Sequence, residues 1–370
     1  MRQLRHSLFL LVLQLTLLCV CRAFVPQMQG PQDTTARSKI GFLPLPIFYY
    51  TPETGFAGGA ALLTFYRADT SDRTARPSSV MFDAIYTQKK QIILEVVPDI
   101  YLQQDAYRIM GSLIYIKYPQ KFFGIGNNTP DSFEENYSSR AFRVSVDALH
   151  RISGNISGGI SLFYESRTLS EFKPNGLLEP GIILGSRGGT TLGIGVVAQW
   201  DTRDNIFTPT MGRYHQFLLQ TSSPKLGSDF DFSRLVVDMR EYLSLTEETV
   251  LAAHALATVV SGSAPFHKLA ELGGSEIMRG YYEGRYRDRK FLAAQLEYRY
   301  PIYWRFNGVV FAGFGDVAPT LSRFRLNDVK PSYGFGVRYM FDTDEKLSLR
   351  FDFGFGKNVS GVYITAGEAF

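Results

Sequence analysis

A chain of 370 residues with 39 Lys and Arg against 35 Asp and Glu carries a formal charge of only +4, too small a surplus over this length to mark a nucleic-acid surface. Aromatic content is high and lopsided, with 29 Phe and 21 Tyr against 2 Trp, and mean hydropathy is −0.07 although 45% of residues are hydrophobic, because apolar and polar residues are interleaved. After the N-terminal segment no 18 consecutive residues are apolar, which excludes helical membrane spans but suits strands with one face to lipid and one to water.

In chain order, residues 1–23 read as a cleaved secretory signal: Arg2 and Arg5 precede an apolar run from Leu8 to Val20, too short to span a bilayer, and Ala23 supplies a small-residue exit. Both cysteines, Cys19 and Cys21, fall inside this segment, so no disulfide framework is expected in the mature chain. Residues 24–40 are polar and rich in Pro, Gln and Thr and read as a disordered lead-in, leaving 41–370 as one domain.

That domain repeats a period of two. In residues 291–301, Leu292, Ala294, Leu296, Tyr298 and Tyr300 alternate with Ala293, Gln295, Glu297 and Arg299; in 346–356, Leu347, Leu349, Phe351, Phe353 and Phe355 alternate with Ser348, Arg350, Asp352, Gly354 and Gly356. Strands are predicted at 45–51, 56–65, 78–87, 91–102, 107–117, 137–149, 154–167, 190–200, 213–222, 232–245, 249–261, 291–301, 304–316, 333–341, 346–356 and 361–370. Sixteen strands with short links alternating with long ones predict an all-β, antiparallel transmembrane β-barrel, although the long link at 66–77 falls out of that order. Glycines two apart on one strand face, Gly193/Gly195, Gly313/Gly315, Gly334/Gly336 and Gly354/Gly356, weaken a strand but open room for a second chain segment inside the barrel.

Four stretches carry more than periodicity: Met278-Arg279-Gly280-Tyr281 in the long link 262–290, the turn from Asp201 to Gly212, the strand ending Gly313-Phe314-Gly315-Asp316, and the penultimate strand with Asp352. In order and spacing these resemble the barrel of the BamA/TamA superfamily of outer-membrane assembly factors, over about residue 41 to Phe370. The resemblance implies that the long link folds back into the lumen, where Arg279, Gly280 and Tyr281 meet acids on inner strand faces. Asp352 and Glu297 fall on the inward sets of their strands, and a guanidinium in a partly dehydrated lumen needs a carboxylate. Gly313 stands where the family usually has an acid, so one customary partner is missing and most weight rests on Asp352; Asp316 is expected at the rim.

In the turn, Asp201, Asp204, Asn205, Pro209 and Gly212 form the second motif, for which a turn capped by its own side chains is the plainer reading. Pro44 and Pro46 in the first strand lack an N–H for a ladder, and Phe370 ends the last strand, so a seam short of hydrogen bonds is expected where the first and last strands meet. Glu368 occupies a position where the resemblance expects an apolar residue, and the family's periplasmic POTRA domains find no room in residues 24–40. His150, His215, His254 and His267 are scattered, without a nucleophile elbow or paired metal spacing, so no catalytic residue, metal or cofactor is expected. The implied function is to assist insertion, assembly or translocation of outer-membrane proteins, with outer-membrane lipids, client barrels and other machine subunits as partners and no nucleic acid; a passive channel or structural barrel is the alternative. Arg285, Arg287 and Arg289 receive no role from sequence.

Overall fold

The computed structural model describes residues 40–66, 78–342 and 346–370. The secretory segment expected at residues 1–23 and all but Ile40 of the lead-in expected at 24–40 lie outside these, as does most of the link after the second strand; Ile40 opens the first strand. Eighteen strands are present: β1 Ile40–Thr51, β2 Gly55–Tyr66, β3 Ser78–Thr87, β4 Ile92–Leu102, β5 Tyr107–Phe122, β6 Glu135–Ser153, β7 Ile156–Ser170, β8 Gly189–Asp201 and β9 Gly212–Ser222, followed by β10 Asp231–Ser244, β11 Val250–Ser263, β12 Ala270–Leu272, β13 Tyr286–Asp288, β14 Lys290–Tyr303, β15 Phe306–Ala318, β16 Lys330–Asp342, β17 Leu347–Gly356 and β18 Val359–Ala366. β12 and β13 pair with each other inside the long link, with Arg287 of β13 also bridged to Gly126, and the other sixteen described strands close one antiparallel barrel in which sequence neighbours are spatial neighbours. Among the described residues the only helical turns are three-residue 3-10 turns, and no helix is long and apolar enough to cross a membrane.

The period of two explains why these segments pair rather than coil. On β14, Phe291, Ala293, Gln295, Glu297 and Arg299 are buried, while Leu292, Leu296 and Tyr298 on the opposite face are exposed. Leu292 and Leu296 on β14, Val310 and Phe314 on β15, Phe335 on β16 and Phe353 on β17 form one exposed apolar band across neighbouring strands, which suits a face turned to lipid. The inward set carries the charges, and closure satisfies the backbone ladder of every strand pair except where β1 meets β18. At one end, exposed Trp200, Tyr303, Trp304 and Phe306 lie at the turns 202–211 and 304–305, as expected where strands leave the hydrocarbon. At that end the links are short except for 202–211 and the one after β2, whose length departs from the alternation.

Several boundaries differ from the sequence reading, and the first strand opens at Ile40 instead of residue 45. β5, β6 and β7 run several residues further than their apolar alternation does, to Phe122, back to Glu135 and on to Ser170, continuing above the barrel as polar strands. The last strand stops at Ala366 instead of Phe370: Gly367 takes φ +78°, its N–H donates to Ser348 O, and the chain turns inward.

The ladders are long everywhere except at closure. β1 and β2 pair over twelve residues, Ile40↔Tyr66 to Thr51↔Gly55, and β17 and β18 over eight, whereas β1 and β18 share the single pair Tyr50↔Ile364. Pro44 and Pro46 lie in the stretch of β1 with no β18 partner.

Candidate functional site

The link from Ala264 to Arg289 lies against the inner faces of β14 to β18, and its tip holds Arg279 and Gly280. Arg279 is completely buried. Its Nη1 donates to Asp352 Oδ2 at 2.6 Å and its Nη2 to Glu297 Oε2 at 2.7 Å, while the guanidinium carbon lies 3.5 Å from the centre of the Phe311 ring. Cation, two anions and an aromatic face thus meet in one dehydrated spot, where charge-assisted hydrogen bonds gain strength and an unpaired ion would cost most.

The backbone at this point fits only glycine. Gly280 takes φ +104°, and a Cβ there would stand 2.8 Å from the Phe355 carbonyl carbon; a Cβ on Gly354 would stand 2.7 Å from Gly280 N. Facing glycines let the loop and β17 approach backbone to backbone. Gly280 N–H donates to the Tyr363 hydroxyl at 2.9 Å, and Ser332 Oγ donates to Arg279 O at 2.7 Å. The Tyr281 hydroxyl donates to Pro331 O and accepts from Lys357 N–H, its ring lying over Gly356. Three consecutive loop residues are therefore tied to β16, β17 and β18, and Arg279 to β14 as well.

Around this anchor four guanidiniums and three carboxylates form one buried network. Arg338 donates to Asp352 Oδ1 at 2.5 Å and to Glu368 Oε2 at 2.7 Å; Arg299 donates to Glu297 Oε1 at 2.9 Å and to Phe370 O at 3.1 Å; Arg350 Nε lies 3.7 Å from Asp352 and donates to Thr365 Oγ1. The sequence reading missed Arg299, Arg338, Arg350 and Glu368 as members. Their signal was present, since all three arginines sit on the inward parity of their strands and Glu368 interrupts an apolar pattern.

Three expectations are corrected. Arg279 does not lack a second acid: with Gly313 carrying no side chain, the second carboxylate comes from β14 as Glu297, facing Asp352 across the guanidinium. Asp316 is not at an open rim; it is buried, ion-paired with Lys330 at 2.8 Å and reached by Asn127. Phe370 does not belong to the seam. It packs inside the barrel on Tyr242 and His254, drawn in with Glu368, whose carboxylate meets Arg338, so the charge that looked misplaced in an apolar strand end serves the network.

The glycine pairs divide. Gly354 and Gly356 face the loop and Gly315 faces Met278, but Gly334 and Gly336 make room for Phe311, Asp352 and Arg338, Gly313 for Gln295, and Gly193 and Gly195 for Phe163 and Gln220. Arg285 and Arg287 find partners higher in the loop. Arg285 binds Thr129 and Asp131 and stacks on Tyr286, and Arg287 pairs with Glu271 at 3.0 Å between the Phe122 and Phe266 rings. Arg289 uses its carbonyl, which accepts from Val260 N–H.

The turn after β8 is held by its own side chains. Asp204 accepts from the backbone N–H groups of Thr210 and Met211 and from the Thr210 hydroxyl, and despite burial, which opposes it, these bonds hold the carboxyl below its usual value. Asn205 Oδ1 accepts from Phe207 and Thr208 N–H, and Asp201 grips Arg203 with both oxygens. Gly212 takes φ +95°, and Pro209 O accepts from Arg299 Nη1 at 3.2 Å, which links the turn to the buried network. No group of His, Cys, Asp and Glu able to hold a metal occurs among the described residues.

Set against known proteins, residues 88–370 match the profile of the Omp85 superfamily domain. No curated protein sequence matches the chain. Among solved structures, the crystal structure of BamA from Haemophilus ducreyi lacking POTRA domains 1–3 superposes with a TM-score of 0.63 at 14% identity, over 90% of this chain and 70% of that one. CdiB from Acinetobacter baumannii gives 0.59 at 11% identity and CdiB from Escherichia coli 0.55 at 8%, each over 90% of this chain, which spans 61% and 64% of theirs. At such identities the likeness is one of fold.

Proposed function

The chain belongs to the Omp85 superfamily, and on that premise we propose that it is an outer-membrane barrel that assists the insertion, assembly or translocation of other outer-membrane proteins. It acts alone or as the barrel subunit of a larger machine, and residues 1–23 export it across the inner membrane.

The observation that carries this reading is the seam. Where β1 and β18 are not paired, backbone N–H and C=O groups face lipid without partners, and each such group costs several kcal/mol in hydrocarbon. An incoming strand of a client barrel relieves that cost by pairing with the open edge, so the seam stores the driving force for accepting one. β18 ends at Ala366 and the chain turns inward at Gly367, so the stretch of β1 that holds Pro44 and Pro46 is left without a neighbour on that side, and neither proline could donate to one. The anchored loop is the counterpart: Arg279, Gly280 and Tyr281 brace β14 to β18 from inside, so the barrel keeps its shape on one side of the seam while the edge of β1 moves. A passive channel fits less well, since the loop tip, Phe370 and the charged network occupy the lumen beside that wall.

The test is a disulfide across the one paired position, Tyr50→Cys with Ile364→Cys, the only cysteines outside residues 1–39. Oxidised protein in liposomes is expected to lose its ability to speed folding of a client barrel, and reduction to restore it. Equal acceleration by the oxidised and reduced forms would overturn the role of the seam.

A further inference from the structure

The opposite side of the lumen is hollow. A cavity of about 700 Å³ lies between the loop and the inner faces of β5 to β7, β10 and β11, bordered above by an apolar cluster with which it shares Tyr137 and Leu269. Among the described residues, Glu165 is the one carboxylate of the cavity's wall side, beside Arg143, Arg167 and Arg234 of the wall and Lys268 of the loop. Arg167 Nε and Lys268 Nζ each lie 2.8 Å from it, and Arg143 Nε lies 2.7 Å away but off the hydrogen-bonding direction. Arg234 has no ion pair or hydrogen bond among the described residues, and its Nε is buried without an acceptor. His267, against the same carboxylate at 3.6 Å, has neither ring nitrogen hydrogen-bonded.

Three of the four cations exceed what one carboxylate neutralises. Leaving such donors unsatisfied in a restricted volume costs free energy, and a protein rarely does so unless something else satisfies them. The other acids of the cavity sit on its loop side, away from these cations: Glu271 pairs with Arg287, Glu53 accepts the Glu283 N–H, Glu276 is exposed, and Glu283 has its carboxyl pushed up to about 8 by its depth in the barrel and by Glu271, Glu53 and Glu276. Lys268, pushed down to about 8 by burial, recovers full charge beside an added anion. Ile116, Leu256 and Phe291 complete the lining, so the space suits a small molecule with an anionic head better than a bare ion.

We propose that this cavity is an anion site, in which Arg234, Lys268, Arg143 and Arg167 bind the phosphate or sulfate group of a small molecule or of a lipid headgroup. Arg234 supplies the free fork, and Arg167 and Lys268 turn part of their donors from Glu165 to the ligand.

The test is calorimetric titration of the full chain, folded in detergent, with inorganic pyrophosphate at low salt, against sodium chloride of equal ionic strength. Saturable binding is expected, weakened at least tenfold in Arg234→Gln/Lys268→Met and at least threefold in Arg234→Gln alone, with heat-modifiable gel migration showing each variant folded. Repeating it in nanodiscs of phosphatidylcholine with and without phosphatidylglycerol separates the sources: undiminished binding points to a soluble ligand, and competition to a headgroup. Absence of saturable binding, or equal binding by wild type and Arg234→Gln, overturns the site.

Discussion

One loop meets two walls of the same barrel and is treated differently by each. Against β14 to β18 it is locked: Arg279 is fully buried, every carboxylate near it is shared between guanidiniums, and glycines bring backbone onto backbone. Against β6, β7 and β10 it stands off, leaving a cavity where cations outnumber acids and several donors have no partner. Both walls are built from inward charges on alternating strands, so charge alone does not make an anchor. What distinguishes them is the ratio: three carboxylates bridge four guanidiniums on the locked wall, whereas one carboxylate faces four cations on the other, and the larger excess keeps water, or a ligand, in place.

The largest effect is expected from breaking the match. Arg279→Glu sets three carboxylates together and should release the loop, while Arg279→Ala, which leaves Arg338 and Arg299 to hold Asp352 and Glu297, should lower unfolding free energy by about 3 kcal/mol. Urea unfolding in detergent, followed by tryptophan fluorescence and heat-modifiable migration, reads both. Partial recovery of Arg279→Glu by Asp352→Arg would show that the pair itself matters; no loss in either single variant would refute the anchor. Phe370→Ala should cost nearly as much, about 3 kcal/mol, because a buried ring leaves a hole against Tyr242 and His254. An effect near zero would mean that the chain end does not pack there.

Gly280→Ala comes next. The added methyl meets Phe355 backbone and the residue keeps a positive φ, so a cost of about 1–3 kcal/mol and faster tryptic cleavage after Arg285 and Arg289 are expected. On the other wall, Arg143→Gln should change stability by less than about 1 kcal/mol, since Arg143 is over a third exposed and Glu165 keeps Arg167 and Lys268. If Arg143→Gln proved as costly as Arg279→Ala, the contrast between the walls would collapse.

Much of the locked wall was legible in sequence and little of the hollow one. Parity placed Asp352 and Glu297 inward, and Arg279-Gly280-Tyr281 carried a resemblance specific enough to bring them together. The network beyond them was not, because Arg299, Arg338 and Arg350 look like ordinary polar positions until the register sets their strands side by side: β14, β16 and β17 contribute one or two members each, from separate stretches of chain. Glu368 and Phe370 were misplaced for a related reason. Period two continues through residues 361–370, and only the positive φ of Gly367 ends the strand, which alternation cannot signal. The cavity depends on how far a loop stands from a wall, a quantity that no local pattern encodes.

The smallest expected effect lies on the loop's open side. Glu283 has its carboxyl raised to about 8, first by its depth inside the barrel and then by Glu271, Glu53 and Glu276 nearby, although its side chain is exposed to the cavity. In the unfolded chain the same group titrates near its ordinary value of about 4.5, so between roughly pH 4.5 and 8 the folded protein holds a proton that the unfolded one has released. Linkage then fixes the sign: stability is favoured at the acid end of that window and falls as pH rises through it, the loss being complete once the folded carboxyl ionises above about 8. Water in the cavity reaches this residue, so the slope should be shallow. Following the thermal midpoint of heat-modifiable migration from pH 6 to 9 should show a decline in wild type that flattens in Glu283→Gln, which keeps the shape but cannot ionise. The same decline in both would assign the pH dependence to other groups.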